Sequence, residues 1–215
     1  FSKLETSYIA DGHHRAAAAS LLGIERRRSN LKHIGNEEYN FFTSVYMASD
    51  QLRIYEFNRL LKDTGNLTAD EFIEKLKENF EVSPVNGIFK PSGLHQFGMY
   101  MGNKWFKLLA RPKVSHENNP VSQLDVSILQ DFVFSPMMGI HDPRTDSRIC
   151  FVGGVTPVDE LIKQVNEGNF AVAFTLYPTS IEQLICVADA GEVMPPKSTW
   201  FEPKFQAGLI IHQIA

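Results

Sequence analysis

The chain has 215 residues, 43% of them hydrophobic and 21% charged, enough to bury a substantial core in one domain or two closely packed subdomains. Its formal charge of −4 argues against a general nucleic-acid binder, for which a basic surface is expected. No apolar run reaches the roughly 20 residues that span a bilayer, and no signal-peptide pattern opens the chain, so cytoplasmic residence without membrane attachment is expected. Cys150 and Cys186, the only cysteines, lie in apolar segments that read as strands; buried free thiols are expected, and without Cys-x-x-Cys spacing the usual structural zinc site is not indicated.

In chain order, a short apolar strand, Ser7 to Ala10, runs into Asp11-Gly12 and then into Ala16 to Ala19, residues of the highest helix propensity. A helix should start near residue 12 or 13 and end near Arg28, where Arg26-Arg27-Arg28 complements the negative end of the dipole. Tyr39 to Ala48 reads as a β-rich run, and Leu52 to Phe57 alternates apolar and polar positions. Joined by Ser49-Asp50-Gln51, these two form an expected hairpin. Thr68-Ala69-Asp70-Glu71 supplies a capping box for a helix with Phe72, Ile73, Leu76 and Phe80 on one face, ending before Ser83-Pro84.

Gly93 to Met101 and Lys104 to Ala110 flank Gly102-Asn103, a dipeptide suited to a two-residue hairpin turn. Arg111 to Pro120 is polar and reads as a loop, and Val121 to Phe134 as a helix ended by Pro136. A strand at Ile149 to Val152 is followed by a helix from Pro157 to Asn166, with Gly168 past its end. Phe170 to Leu176, a continuous apolar run, suggests a central strand buried on both faces. The last helix, Ser180 to Asp189, is capped by Thr179 or Ser180 and presents Ile181, Leu184, Ile185 and Ala188 to the core. The fold class expected is α/β (α+β), a mixed sheet with flanking helices.

The opening carries the chemistry. At a helix start the first N–H groups lack intrahelical partners and the macrodipole leaves them partly positive, so a phosphate or carboxylate is favoured there. His13, His14 and Arg15 add donors where basic groups are unfavourable unless an anion compensates them. The bland alternative is that Asp11 only caps, Arg15 pairs with a neighbouring carboxylate, and one histidine packs inward. A second cluster, Lys197, Ser198, Thr199, Glu202 and Lys204, lies on a proline-braced loop, where lysines beside hydroxyls suit a phosphate or carboxylate and Glu202 is placed to act as base or to hold a cation. Asp142 and Asp146, near His141, are weaker candidates for a metal, with turn caps as the alternative.

The Asp11-Gly12-His13-His14-Arg15 corner, together with Pro195 to Lys204 near the other end, resembles the bacterial and archaeal family called domain of unknown function 1015, in its C-terminal half. This chain has Ala16 where that family usually has an aromatic residue. More distantly, the corner and its alanine-rich helix are similar to the phosphate-binding corner of the ParB and sulfiredoxin superfamily, which includes nucleotide-dependent free-serine kinases. That similarity implies a nucleotide or phosphate ligand, ATP or ADP with Mg²⁺ being the cofactors it suggests. No P-loop, Gly-x-Gly-x-x-Gly or Gly-x-Ser-x-Gly sequence occurs to indicate a common nucleotide fold or nucleophile elbow.

The combined expectation is an uncharacterised protein that binds a phosphate-bearing small molecule at the Asp11 to Arg15 helix start, through Gly12, His14, Arg15, Lys197, Ser198, Thr199 and Lys204. In its enzymatic version, a small-molecule phosphotransferase, Asp11, His13 and Glu202 are the catalytic candidates. The alternative is a non-catalytic ligand-binding or regulatory module. Metal-dependent hydrolysis through His13, His14 and His141 is a third reading. A missing N-terminal segment or a homo-oligomer is the expected partner, because Phe1 is not an initiator methionine and the anion corner precedes any strand that could complete a sheet around it.

Overall fold

The computed structural model describes residues 3–115, 119–206 and 208–214. The chain divides into two compact units, the first made of residues 1–53 and 201–215, the second of residues 54–200.

The first unit is built on one helix, α1 (His13–Ser29), which starts after Gly12 and ends with Arg26, Arg27 and Arg28 in its last turn. None of its residues is buried. A short 3-10 turn, Glu38–Asn40, meets it where the carbonyl of Tyr39 approaches Gly23. The Tyr39 hydroxyl accepts from Asn30 Nδ2 at 2.9 Å, and His33 Nδ1 lies 3.0 Å from Glu37 Oε2. Two expectations fail here. Residues 4–10 form no strand ahead of α1, and residues 41–48 form none either, so the hairpin with Leu52 to Phe57 is absent. Phe41, Phe42, Val45 and Tyr46 are exposed instead. Strand-forming residues need a neighbouring ladder to satisfy their backbone groups, and no ladder forms on this segment. The β-like stretch shrinks to β1 (Arg53–Tyr55), through which the chain enters the second unit.

The second unit is a six-stranded sheet in the order β3-β5-β4-β7-β2-β6. Its strands are β2 (Phe57–Leu61), β3 (Phe80–Val85), β4 (Gln96–Met101), β5 (Lys104–Ala110), β6 (Ile149–Gly153) and β7 (Val172–Thr175). The helix-flanked α/β sheet is as expected; its ladders are antiparallel throughout rather than mixed. The β4–β5 hairpin closes at Gly102 and Asn103, both at positive φ (57° and 62°), the backbone shape that follows the twist of the flanking strands.

Apolar side chains fill both faces of the sheet. On one face Leu61, Met99 and Phe174 pack with Phe72 and Leu76 of α2 (Ala69–Asn79), and with Leu129 and Phe134. On the other, Leu60, Tyr100, Trp105 and Ala173 pack against Val158 and Leu161 of α6 (Val158–Asn166). The capping box predicted at Thr68 is present, with Glu71 N–H donating to Thr68 Oγ1 and Thr68 N–H donating to Glu71 Oε2 at 2.8 Å. Phe80, expected on the helix, instead opens β3. Pro84, expected to follow the helix end, sits inside that strand, which is tolerated because β3 is an edge.

Within the expected loop Arg111 to Pro120, a single helical turn, α3 (Pro112–Ser115), forms; residues 116–118 lie outside the described residues. Pro136 does not end the following helix. The helix begins as α4 (Asp125–Leu129), widens into a π turn (Gln130–Phe134) and continues as α5 (Ser135–Met138). Ser135 N–H donates to Gln130 O, five residues back, so the wider turn falls just where the proline would strain a regular one. The last helix, α7 (Ile181–Asp189), has the predicted cap at Ser180, completed by Gln183, but its buried residue is Val187 and Ala188 is exposed. Cys150 and Cys186 are free and exposed rather than buried, and Cys186 lies in α7 rather than in a strand. The chain returns to the first unit through β8 (Trp200–Glu202). Among the described residues no helix is long and apolar enough to cross a membrane.

Candidate functional site

Gly12 is the N-cap of α1 and holds φ 82°, ψ 22°, a left-handed conformation that only glycine adopts without strain. No side chain caps the helix. The Asp11 carboxylate, a cap in the alternative reading, accepts from Gly12 N–H through Oδ1 at 2.8 Å. The first bond of the helix runs from Ala16 N–H to Gly12 O at 3.0 Å, so the amides of His13, His14 and Arg15 have no acceptor inside the helix.

Two cations and two carboxylates meet at this helix start. The Arg15 side chain folds back over the cap: a Cβ placed on Gly12 would lie 3.2 Å from Arg15 Nη2 and 3.4 Å from Nε. Lys204 arrives from the far end of the sequence and puts Nζ 2.8 Å from Asp11 Oδ2. The Lys204 hydrogen bond, aided by the Gly12 amide and the charge of Arg15, holds the Asp11 carboxyl below its usual range despite partial desolvation. Glu202 shapes the turn that delivers Lys204, its Oε2 accepting Lys204 N–H at 3.0 Å. His13 and His14 are exposed at the same helix end. Four predicted residues, Asp11, Gly12, Glu202 and Lys204, are thus joined by direct contacts within the first unit, and the Arg15 side chain lies over Gly12. Arg15 turns toward Gly12 and Asp11, not toward a distant carboxylate.

Lys197, Ser198 and Thr199 belong to the second unit. Ser198 is buried and its hydroxyl donates to Pro195 O at 2.6 Å, bracing its own loop. Lys197 Nζ stands 5.4 Å above the Phe57 ring, a cation–π contact, and its carbonyl accepts from Arg59. Thr199 is half-buried.

The weak metal candidates are occupied by arginines. Asp142 takes Arg144 Nε and Nη2 at 3.0 Å each, and Asp146 takes Arg148 Nη2 at 2.7 Å, which brings its carboxyl down to about 2. His141 Nδ1 lies 3.0 Å from Ser135 Oγ. No cluster of three or more His, Cys, Asp or Glu side chains able to hold a metal occurs among the described residues.

Sequence reasoning missed two charged residues in the second unit. Arg59, in the middle of β2, is 3% exposed, and Asp125, at the start of α4, is 6% exposed. Asp125 Oδ1 accepts His95 N–H at 2.8 Å, and burial pushes its carboxyl up to about 7. Neither has a motif around it. In the run Phe57-Asn58-Arg59-Leu60-Leu61 all five residues are buried, so the alternation that normally marks a charged residue as outward-facing is absent.

Three solved structures illustrate the likeness to known proteins. A free serine kinase in complex with AMP matches at 19% identity and TM-score 0.46, over 90% of this chain and 66% of that one. A variant of free serine kinase in complex with ADP matches at 20% identity and TM-score 0.46, with the same coverage. A conserved hypothetical protein from Pyrococcus furiosus matches at 18% identity and TM-score 0.45, over 90% of this chain and 68% of that one. This chain therefore spans about two thirds of the length of those it matches. No curated protein matches it. Residues 1–127, which include the Asp11 to Arg15 corner but not the Pro195 to Lys204 loop, match the family described as protein of unknown function (DUF1015), and the chain belongs to that family.

Proposed function

We propose that the N-terminus of α1 binds the phosphate of a small molecule, in its most specific form a nucleotide carried with Mg²⁺. The supporting observation is the Arg15 guanidinium folded over Gly12, beside amides that no side chain caps. A tetrahedral anion placed there meets backbone donors, a planar guanidinium fork and, from Lys204, a point charge. His13 and His14, both exposed, are the outer donors in this reading. Asp11 holds the two cations close to each other without meeting the anion itself.

In the enzymatic version the terminal phosphoanhydride bond of a nucleotide breaks, its phosphoryl group passes to a hydroxyl of a small acceptor, the nucleotide leaves one phosphate shorter, and the hydroxyl proton goes to a base. Arg15 and Lys204 spread the charge of the group in flight, while His13 or Glu202 is the base candidate. One observation favours the plainer reading of a binding or regulatory module: both acidic residues of the corner already accept donors, Asp11 from Lys204 and Gly12, Glu202 from Lys204 N–H. AMP and ADP, the nucleotides in the neighbouring structures, set the choice of probe. Isothermal titration with AMP, ADP and ATP in Mg²⁺ buffer should give saturable heat that Arg15→Gln weakens about tenfold, the loss of one charge-assisted hydrogen bond. Phosphoserine formed from serine and nucleotide would establish transfer. Saturable heat without turnover would leave the binding module, and no heat with any nucleotide would retire the nucleotide reading.

A further inference from the structure

Arg59 presents a problem that the α1 corner does not solve. It lies on β2, paired with Phe151 of β6 and Phe174 of β7, on the sheet face that carries Leu61 and packs against the α4 to α5 helix. The side chain makes two hydrogen bonds, Nη1 to the carbonyl of Phe57 and Nη2 to the carbonyl of Lys197 at 3.1 Å. Its guanidinium carbon stands 5.3 Å from the Phe151 ring centroid. A guanidinium has five N–H donors. No carboxylate among the described residues reaches it, and desolvation alone acts on its ionisation, drawing it down to about 9, still charged at neutral pH. A buried arginine is nearly always paired, because an unpaired charge in a low dielectric is strongly disfavoured.

The missing partner has a place to sit. A cavity of about 110 Å³ adjoins Arg59, lined also by Gln130, Phe134, Phe151, Pro195 and Pro196. Gln130 is already oriented, since its Nε2 donates to Ile140 O at 2.7 Å, leaving the second N–H of the amide as a further donor. We propose that this cavity is a binding site for a short monocarboxylate whose two oxygens engage the Arg59 fork and whose apolar end lies among Phe134, Phe151 and the prolines. The size fits: a cavity of roughly 150 Å³ takes a six-carbon ring, so this one takes about four or five heavy atoms. The chemistry selects the charge. A planar carboxylate matches the guanidinium bidentately, whereas a phosphate dianion would leave its remaining oxygens facing ring carbons and proline methylenes. The site lies wholly in the second unit and is independent of the reading of the α1 corner.

The test uses the whole chain with propionate as the probe and chloride and inorganic phosphate as controls. Following the Arg59 Nε–H signal by NMR, propionate should give a saturable shift that chloride and phosphate at equal ionic strength do not. Arg59→Met, which keeps the apolar bulk and removes the fork, should weaken propionate binding at least tenfold. Lack of saturation with propionate, or an equal shift with chloride or phosphate, would overturn the proposal. If Arg59→Met fails to fold, the wild-type NMR titration decides alone.

Discussion

Lys204 Nζ and Asp11 Oδ2, separated by 193 positions in sequence, meet at 2.8 Å beside the first turn of α1. The pair pins the C-terminal segment of the first unit to the helix start and sets a second cation next to Arg15. Both side chains are about half exposed, so the pair contributes no more than about 1 kcal/mol to stability. Its importance in this account lies in where it puts charge.

The ion pair predicts a titration. With Lys204 in place the Asp11 carboxyl ionises below 3.8, and its contribution to stability is present above that value and lost as pH falls through the lowered one. In Lys204→Met the Asp11 carboxyl should move back up, since the main cause of the shift is gone. NMR titration of the Asp11 carboxyl carbon in the two proteins reads this directly; an unchanged midpoint would mean that the pair does not form.

Gly12→Ala tests the left-handed cap. An alanine at φ 82° is strained by about 1–2 kcal/mol, and its methyl would press on Arg15 Nη2. Urea melts should show a loss of about that size together with weakened anion binding. Ala16→Gly, lower in helix propensity by about 1 kcal/mol, is the control: similar destabilisation with anion affinity retained.

Much of the second unit could be read from sequence because its signals are local. The Thr68 capping box, the Ser180 cap and the Gly102-Asn103 turn each rest on a few adjacent residues with one favoured geometry. What escaped depends on distant partners. Tyr39 to Ala48 has strand composition and no ladder, Phe80 ends a helix-like pattern yet pairs with Ala110, and Pro136 is accommodated by a five-residue π turn that no local motif marks. The corner at Asp11 to Arg15 was visible because a glycine before an alanine run marks a helix start. Its link to Lys204, and the burial of Arg59, follow from tertiary structure alone.

Asp125 makes the second unit sensitive to pH. Its ordinary carboxyl value is 3.8, and burial raises it to about 7 in the folded chain. The native state therefore keeps a proton that the unfolded state releases, and this stabilisation, complete below about pH 4, is lost as pH rises through 7. Asp125→Asn keeps an oxygen to accept His95 N–H while removing the charge. It should raise stability at pH 8 by on the order of 2–4 kcal/mol and leave it nearly unchanged at pH 4, as thermal melts across that range would show.

Helix caps supply a simpler check on the fold. Thr68→Ala and Ser180→Ala each remove the hydroxyl that accepts from the third residue of α2 and α7. Each should lower stability by about 1 kcal/mol in urea denaturation, additively, because the two caps share no partner.

The central claim is that the amides of His13, His14 and Arg15 face an anion. Titrating ¹⁵N-labelled protein with ADP and following those three backbone signals tests it most directly. Saturable downfield shifts are expected at all three, disappearing in Gly12→Ala and shrinking in Arg15→Gln, as for amides that acquire an acceptor. Shifts confined to other residues, with these three unmoved at saturating ADP, would contradict it.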